Sequence, residues 1–490
     1  MNSATIGVDI GTSSTKGVLV DRDGVILAQA TREHRVDRPS ADRVEMDPEI
    51  WWSEFVAIAR ELQAAIPDVT PVAVGVSGMG PCVALLDDDG RAVRPAILYG
   101  VDTRASEQIE RLTAELGADA IVESGGSALT SQAAGPKIAW IREHEPEAYE
   151  RASGLAMPAS FLGRRLTGNL VLDHHSASQC WPLYDIDRAQ WRDDWWDHIA
   201  PGITRPELVS PASSIGAVTA EAAAETGLPE GIPVACGTID AWTEAVSAGA
   251  TRANDLVLMY GTTMFLIATT DHRPSAPGMW TTRGVADGSF SLAGGMATSG
   301  AITGWIRELV DGDFATLTQL AAESGVGAQG VLMLPYFAGE RTPIQDPDAR
   351  GVLVGMTLET SVGDLYRAAL EAVAFGVRHN IEVMRDSGAS VDRVVAVGGG
   401  TSGGVWTQIV SDVTGLPQVL PSVTVGASYG AAFLAAGLLG VPDIDLWNPP
   451  ADIVQPDPQR HARYDALYRL YRDLYPATRD IAHELARTER

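Results

Sequence analysis

Thr5-Ile6-Gly7-Val8-Asp9-Ile10-Gly11-Thr12-Ser13-Ser14-Thr15-Lys16-Gly17-Val18-Leu19-Val20 decides how the rest of the chain is read. Valine and isoleucine on both sides of the Gly-Thr-Ser core predict two short buried strands joined by a polar turn. Gly11 has no Cβ, so the backbone can turn sharply and approach a ligand closely. Thr12, Ser13 and Ser14 offer hydroxyls and amides able to cradle phosphate. Asp9 closes the first strand, where a carboxylate can hold a metal ion or its waters, and Lys16 adds positive charge. A carboxylate, a hydroxyl-lined turn and a lysine this close together are the groups a nucleoside triphosphate with Mg2+ requires. An ordinary β-hairpin with a polar turn is the plainer reading. Asp21-Arg22-Asp23-Gly24 then turns the chain into a third strand, so residues 4–30 are expected to form an antiparallel meander.

The plan recurs in the second half. Asp255-Leu256-Val257-Leu258-Met259-Tyr260-Gly261-Thr262-Thr263-Met264-Phe265-Leu266-Ile267 is again apolar strand, Gly-Thr turn, apolar strand. The buried strand Val72-Ala73-Val74-Gly75-Val76-Ser77-Gly78 has its counterpart in Val394-Val395-Ala396-Val397-Gly398-Gly399-Gly400. This repetition predicts two similar domains facing each other, residues 1–247 and 248–490, a division that a chain of 490 residues also favours. Residues 398–403 fit G-x-G-x-x-G as well, but the acid that a dinucleotide site needs about 20 positions on is missing, because residues 417–422 hold no Asp or Glu. No G-x-x-x-x-G-K-[ST] occurs. A glycine-rich strand end still lets a base or phosphate lie against backbone.

Sixty-three acidic against 36 basic residues give a formal net charge of −27. Nucleic acid and anionic membrane both demand basic patches, and neither is expected as a partner. Cys82, Cys180 and Cys236 lie far apart without C-x-x-C spacing, which argues against a zinc site or disulfide framework and fits a reducing cytoplasm. No apolar run reaches membrane-spanning length, and the opening residues lack the basic and apolar segments of a leader. A cytoplasmic protein is expected.

Residues 233–240, Pro-Val-Ala-Cys-Gly-Thr-Ile-Asp, read as a buried strand ending in an acid, and 241–250 as a helix. Asp240 then stands at a helix N-terminus, where the dipole is expected to keep it ionised and able to accept a proton; a plain N-cap is the alternative. Asp102 and Arg104 follow another strand end, where α/β proteins keep ligand contacts, although a surface ion pair would also explain them. His174-His175 could begin a metal site but has no third ligand at a recognisable spacing. Trp51, Trp52 and Phe55 read as core.

Together these stretches resemble the FGGY family of carbohydrate kinases, from Ile6 to about Gly440. Asp9-Ile10-Gly11-Thr12 with Lys16 resembles the family's first phosphate motif and Gly261-Thr262-Thr263 its second. Gly398-Gly399-Gly400 with Trp406 and Gln408 resembles its adenosine motif. The most specific match is Gly351-Val352-Leu353-Val354-Gly355-Met356, followed at the family's spacing by Asp364-Leu365 and Ala368-Ala369-Leu370-Glu371. The resemblance implies an α/β fold of two actin-like, RNase H-type domains with a catalytic cleft between them. It implies transfer of the ATP γ-phosphate to a sugar or polyol hydroxyl with Mg2+. It makes Asp240 the catalytic base and Asp9 the metal-side acid. ATP contacts would be Gly11, Thr12, Ser13, Lys16, Gly261, Thr262, Gly399, Gly400 and Ser402. Sugar contacts would be Ser77, Gly78, Met79, Tyr99 and Asp102.

Within the family, Ser77-Gly78, Leu85-Leu86-Asp87, Pro95-Ala96-Ile97-Leu98 and Gly339-Glu340-Arg341-Thr342-Pro343 are most similar to the xylulokinases and their pentulose-kinase relatives. D-xylulose, converted to D-xylulose 5-phosphate, is the acceptor this implies. L-xylulose, ribulose, gluconate or a pentitol is the alternative acceptor, and an actin-like ATPase that phosphorylates no sugar the alternative activity. Met79-Gly80-Pro81 stands where xylulokinases usually have Gln-Met-His, Tyr99 replaces a usual Trp, and Ala241 stands where Asn or Gln often follows the base. These departures bear on the choice of sugar and not on phosphoryl transfer. A homodimer is usual in the family.

Overall fold

The opening meander forms as the sequence predicts. The computed structural model describes residues 2–276, 278–440 and 442–488. Strands β1 (Asn2–Ile10), β2 (Ser14–Asp21) and β3 (Ile26–Glu33) pair antiparallel in sequence order, with Asp9 opposite Lys16 across the first turn. Helix α1 (Pro48–Ala65) covers one face of this meander. Asp47 caps it by accepting a hydrogen bond from the Glu49 amide, and Pro48 opens it, where a missing N–H costs nothing. Its buried stripe is Trp51, Trp52, Phe55, Ile58 and Leu62.

Strand β4 (Val69–Gly78) joins β1 in parallel, so Asp9 lies beside Ser77. The edge strand β5 (Ser214–Ala217) and the central β6 (Pro233–Ile239) complete a six-stranded sheet in the order β5-β6-β4-β1-β2-β3. Between β4 and β5 the chain builds a mainly helical layer around the buried Trp181, Trp191 and Trp196. Helix α2 (Asp240–Ser247) leaves β6 without a linker.

The second half repeats this connectivity. Strands β7 (Asp255–Tyr260) and β8 (Met264–Thr270) form the hairpin, extended antiparallel by β9 (Trp280–Arg283) and β10 (Phe290–Met296) in the order β9-β10-β8-β7. Strand β11 (Arg393–Val397) then pairs parallel with β7, as β4 does with β1. Strand β12 (Gln418–Pro421) is parallel to β11, and β13 (Pro450–Val454) closes the edge antiparallel. The echo of pattern is thus an echo of topology. A hairpin with a parallel third strand places the hairpin turn and that strand's carboxyl end side by side in each half.

The halves are held by a seam of small residues. Helix α3 (Ala427–Gly437), although late in the chain, packs on the first sheet and on α2. A Cβ at Gly7 would stand 2.0 Å from the Ser428 carbonyl oxygen, one at Gly75 1.9 Å from that of Ala431, and one at Gly430 2.1 Å from that of Thr243. Only glycine permits this approach. A cut at 247/248 therefore separates chain segments that remain packed together.

Candidate active site

The two hairpin turns, the end of β6 and the glycine loop after β11 open onto one cleft with two cavities. The first, of about 510 Å³, is lined by Gly261 and Thr262 of the second turn, by Gly399, Gly400 and Ser402, and by Tyr260 and Trp406. The turn's shape is set locally: the Gly261 amide donates to the Thr263 carbonyl at 3.1 Å, and Thr262 accepts from the Ser299 amide at 3.0 Å. Gly398 has φ +95°, and a Cβ at Gly400 would stand 2.9 Å from both the Trp406 ring and Tyr260 Cβ. The cavity floor is therefore bare backbone beside an aromatic ring, a surface suited to a flat base. Trp406 meets Tyr260 edge to face at 5.3 Å, and its buried Nε1 has no hydrogen-bond partner among the described residues. Gly300, Thr303, Phe314 and Tyr366 complete the wall. None of the four was read as a site residue in the sequence, although Tyr366 lies within the family signature between Leu365 and Ala368.

The second cavity, of about 190 Å³, holds Asp240 with Gly80, Tyr99, Gln132, Gln179 and Trp242. Thr263, Trp280 and Arg341 enter it from the second half. The turn at residues 261–263 therefore borders both cavities, with Gly261 and Thr262 on one and Thr263 on the other. A wider space of about 680 Å³ continues from the Asp240 cavity past Tyr99, Gln132, Trp280 and Arg341. The first hairpin reaches the same place, because Thr12 Oγ1 lies 2.9 Å from the Tyr99 hydroxyl. Gly11 donates its amide to the Ser14 carbonyl to close that turn, and Ser13 and Lys16 are exposed at its rim.

Three carboxyls interact here: Asp240 lines its cavity, and the buried Asp9 and Glu244 lie close enough to feel its charge. Asp240 Oδ1 accepts a hydrogen bond from the Ala241 amide at 2.8 Å, a helix-start contact that favours ionisation. Burial outweighs it and holds the Asp240 pKa above the usual carboxylate range. The expectation that the helix dipole keeps it ionised left this burial out. Asp9 is raised further, first by burial and then by the nearby charge of Asp240. Glu244, one turn along α2, is pushed up to about 7, first by burial and then by Asp240, while Lys16 draws it down. The buried Asp9 Oδ1 has no hydrogen-bond partner among the described residues. Such an orphaned oxygen in an acidic cleft suits a hard cation. Among the described residues no three His, Cys, Asp or Glu side chains form a ready cage. Mg2+ takes one or two carboxylates and fills its remaining positions with phosphate and water.

Several sequence-predicted sugar contacts lie elsewhere. Asp102 is fully buried behind the cavity, where its Oδ2 meets Arg104 Nη2 at 2.7 Å and the Val44 amide at 2.6 Å. Both readings made of this pair are corrected: it is neither a cavity contact nor a surface ion pair but a buried one, with Glu45 as a second partner of Arg104. Met79 is buried in the core, its amide bonded to the Ile10 carbonyl at 2.7 Å, and Gly80 takes the place at the cavity wall. Ser77 and Gly78 also face inward, Ser77 beside Asp9 and Gly78 against Pro158 and Ile10. Tyr99 alone of that set lines the cavity. It is held by buried Lys137, which donates to the Leu98 and Tyr99 carbonyls at 2.6 and 2.8 Å. His174 and His175 bond to Tyr184 and to the Arg283 carbonyl and belong to no metal cluster among the described residues.

Two lobes of repeated topology, a turn from each at the cleft and carboxyls between them define the actin-like class of kinase folds. The model of the N-terminal domain of the FGGY family of carbohydrate kinases matches residues 4–247, and that of its C-terminal domain residues 256–438. The chain belongs to this family and is a carbohydrate kinase. The xylulose kinase of Escherichia coli is 30% identical to it over 491 residues, covering 96% of this chain and 99% of that protein. The crystal structure of xylulose kinase from Rhodospirillum rubrum superposes with a TM-score of 0.92 at 33% identity, covering 98% of this chain and all of that one. Gluconate kinase from Lactobacillus acidophilus shares the fold, with a TM-score of 0.90 at 22% identity over 98% of each chain. No described helix is long and apolar enough to cross a membrane.

Proposed function

We propose that the protein transfers the γ-phosphoryl group of ATP to a terminal hydroxyl of D-xylulose, giving D-xylulose 5-phosphate. The observation that carries this reading is the turn at residues 261–263, which borders both the backbone-floored cavity and the cavity holding Asp240. A donor in one and an acceptor in the other would meet at that turn. Asp240 takes the proton of the attacking hydroxyl, and its raised pKa brings it nearer to a working base at neutral pH. Gly261, Thr262, Gly11, Thr12 and Ser13 offer amides and hydroxyls to the phosphate oxygens, and Lys16 its charge. Gly399, Gly400 and Ser402 lie along the nucleoside. Asp9 would hold Mg2+, which when bound would neutralise phosphate charge. Most of the acceleration comes from positioning in a cleft that excludes water.

The names of the relatives support D-xylulose as acceptor. A second reading, a sugar acid, draws on Arg341, which lines the acceptor space and forms no ion pair among the described residues. ADP release with ATP, Mg2+ and a panel of D-xylulose, L-xylulose, ribulose, pentitols, gluconate and glycerol separates them. A preference for D-xylulose of about tenfold or more is expected. Turnover confined to gluconate would replace the acceptor, and bound ATP without any phosphorylated acceptor would contradict the kinase reading.

A further inference from the structure

His175, one of the histidine pair that the sequence singled out, is hydrogen-bonded to a side chain of the Asp240 cavity. His175 is fully buried, and its Nδ1 lies 2.7 Å from the Arg283 carbonyl oxygen. A carbonyl only accepts, so Nδ1 carries the proton. Burial pushes the imidazole pKa down to about 3, which leaves the ring neutral and its Nε2 an acceptor. Nε2 lies 2.9 Å from the side-chain amide nitrogen of Gln179, which must therefore be the donor. The reversed amide would set two lone pairs against each other. Gln179 is 5% exposed and lines the Asp240 cavity. With its nitrogen committed to His175, its Oε1 remains, and that oxygen accepts no hydrogen bond among the described residues. Trp242, whose ring stands 4.0 Å from that of His175, lines the same cavity and backs the relay.

We propose that Gln179 is a specificity-determining residue of the acceptor cavity, its carbonyl oxygen receiving a hydrogen bond from one sugar hydroxyl, and that His175 is the positioning residue that fixes the amide. An oxygen that can only accept selects a hydroxyl at that point and disfavours a carboxylate there. The inference rests on the sugar-kinase reading.

The test is steady-state kinetics of the wild type, Gln179→Ala, His175→Ala and the double variant. The substrates are the best acceptor of the panel and its series of singly deoxygenated analogues. Gln179→Ala is expected to raise the acceptor KM about 3–10-fold, the range for one neutral hydrogen bond, with kcat and the ATP KM unchanged. One deoxygenated analogue should lose about the same factor with the wild type and nothing further with Gln179→Ala. His175→Ala should reproduce the Gln179→Ala effect, and the double variant should be no worse than either. The unchanged ATP KM reports an intact fold, and if His175→Ala does not fold, the analogue series on Gln179→Ala decides alone. An unchanged acceptor KM in Gln179→Ala, or deoxygenation penalties identical in wild type and variant, overturns the inference. A wild type that phosphorylates no sugar, polyol or sugar acid overturns the kinase reading and this inference together.

Discussion

Asp240 is subject to two opposed influences, a helix N-terminus that favours its charge and a buried cleft that penalises it, and burial prevails. A base acts only when deprotonated. The kcat/KM for the acceptor is therefore expected to rise with pH through the raised pKa, with its acid limb displaced above the ordinary carboxylate range. A limb near pH 4 in the pH–rate profile would contradict this. Glu244 gives a stability counterpart. Its carboxyl is raised from 4.5 to about 7, so the folded protein holds that proton more tightly than the unfolded chain. The destabilisation is absent below the unfolded value, grows as pH rises through the window between the two, and is full above it. Glu244→Gln, followed by urea unfolding in metal-free buffer, is expected to gain up to about 3 kcal/mol at about pH 8 and little near pH 4. An equal gain at both would refute the assignment. Asp9 and Asp240 were legible in the sequence because each closes an apolar run, and a strand end is a local property. Gln179, Trp280 and Arg341 were not, since distant elements bring them to the cavity.

At the scale of elements, the glycine loop after β11 depends on contacts that no larger residue allows. Gly400→Ala would place a methyl 2.9 Å from the Trp406 ring. The neighbours must give at a cost of about 1–3 kcal/mol, expected to appear as a rise of about tenfold in the ATP KM with the acceptor KM unchanged. An unchanged ATP KM would remove the nucleotide from this cavity. The hairpins and the strand–helix junction at Asp240 were both readable, because apolar periodicity is written locally. The segment after β4 was read one residue out of phase with the cavity wall. Met79 was placed at the sugar, but its side chain completes the core while Gly80 forms the wall. Asp102 was misplaced for a related reason: the Val44 amide that donates to it, and Glu45, which pairs with its partner Arg104, belong to a distant part of the chain.

The whole molecule is two sheets of one topology joined by a glycine seam. The repeated pattern of strand, Gly-Thr turn, strand and later glycine-ended strand foretold the two lobes. The seam was not foretold, since glycines at 7 and 75 acquire their meaning only when α3 lies on them. Gly75→Val would drive a side chain into the Ala431 carbonyl and is expected to destabilise the protein by about 3 kcal/mol or more in urea unfolding. Unchanged stability would mean that the lobes do not pack through this helix. The role proposed for Asp240 is that of base, in the cavity that Thr263 of the shared turn also lines. Its most direct test is single-turnover transfer of the γ-phosphoryl group from ATP to the best acceptor by Asp240→Asn, with ATP affinity measured on the same sample. Transfer slowed by about 10²–10⁴-fold with ATP affinity unchanged is the predicted result; transfer near the wild-type rate would contradict it.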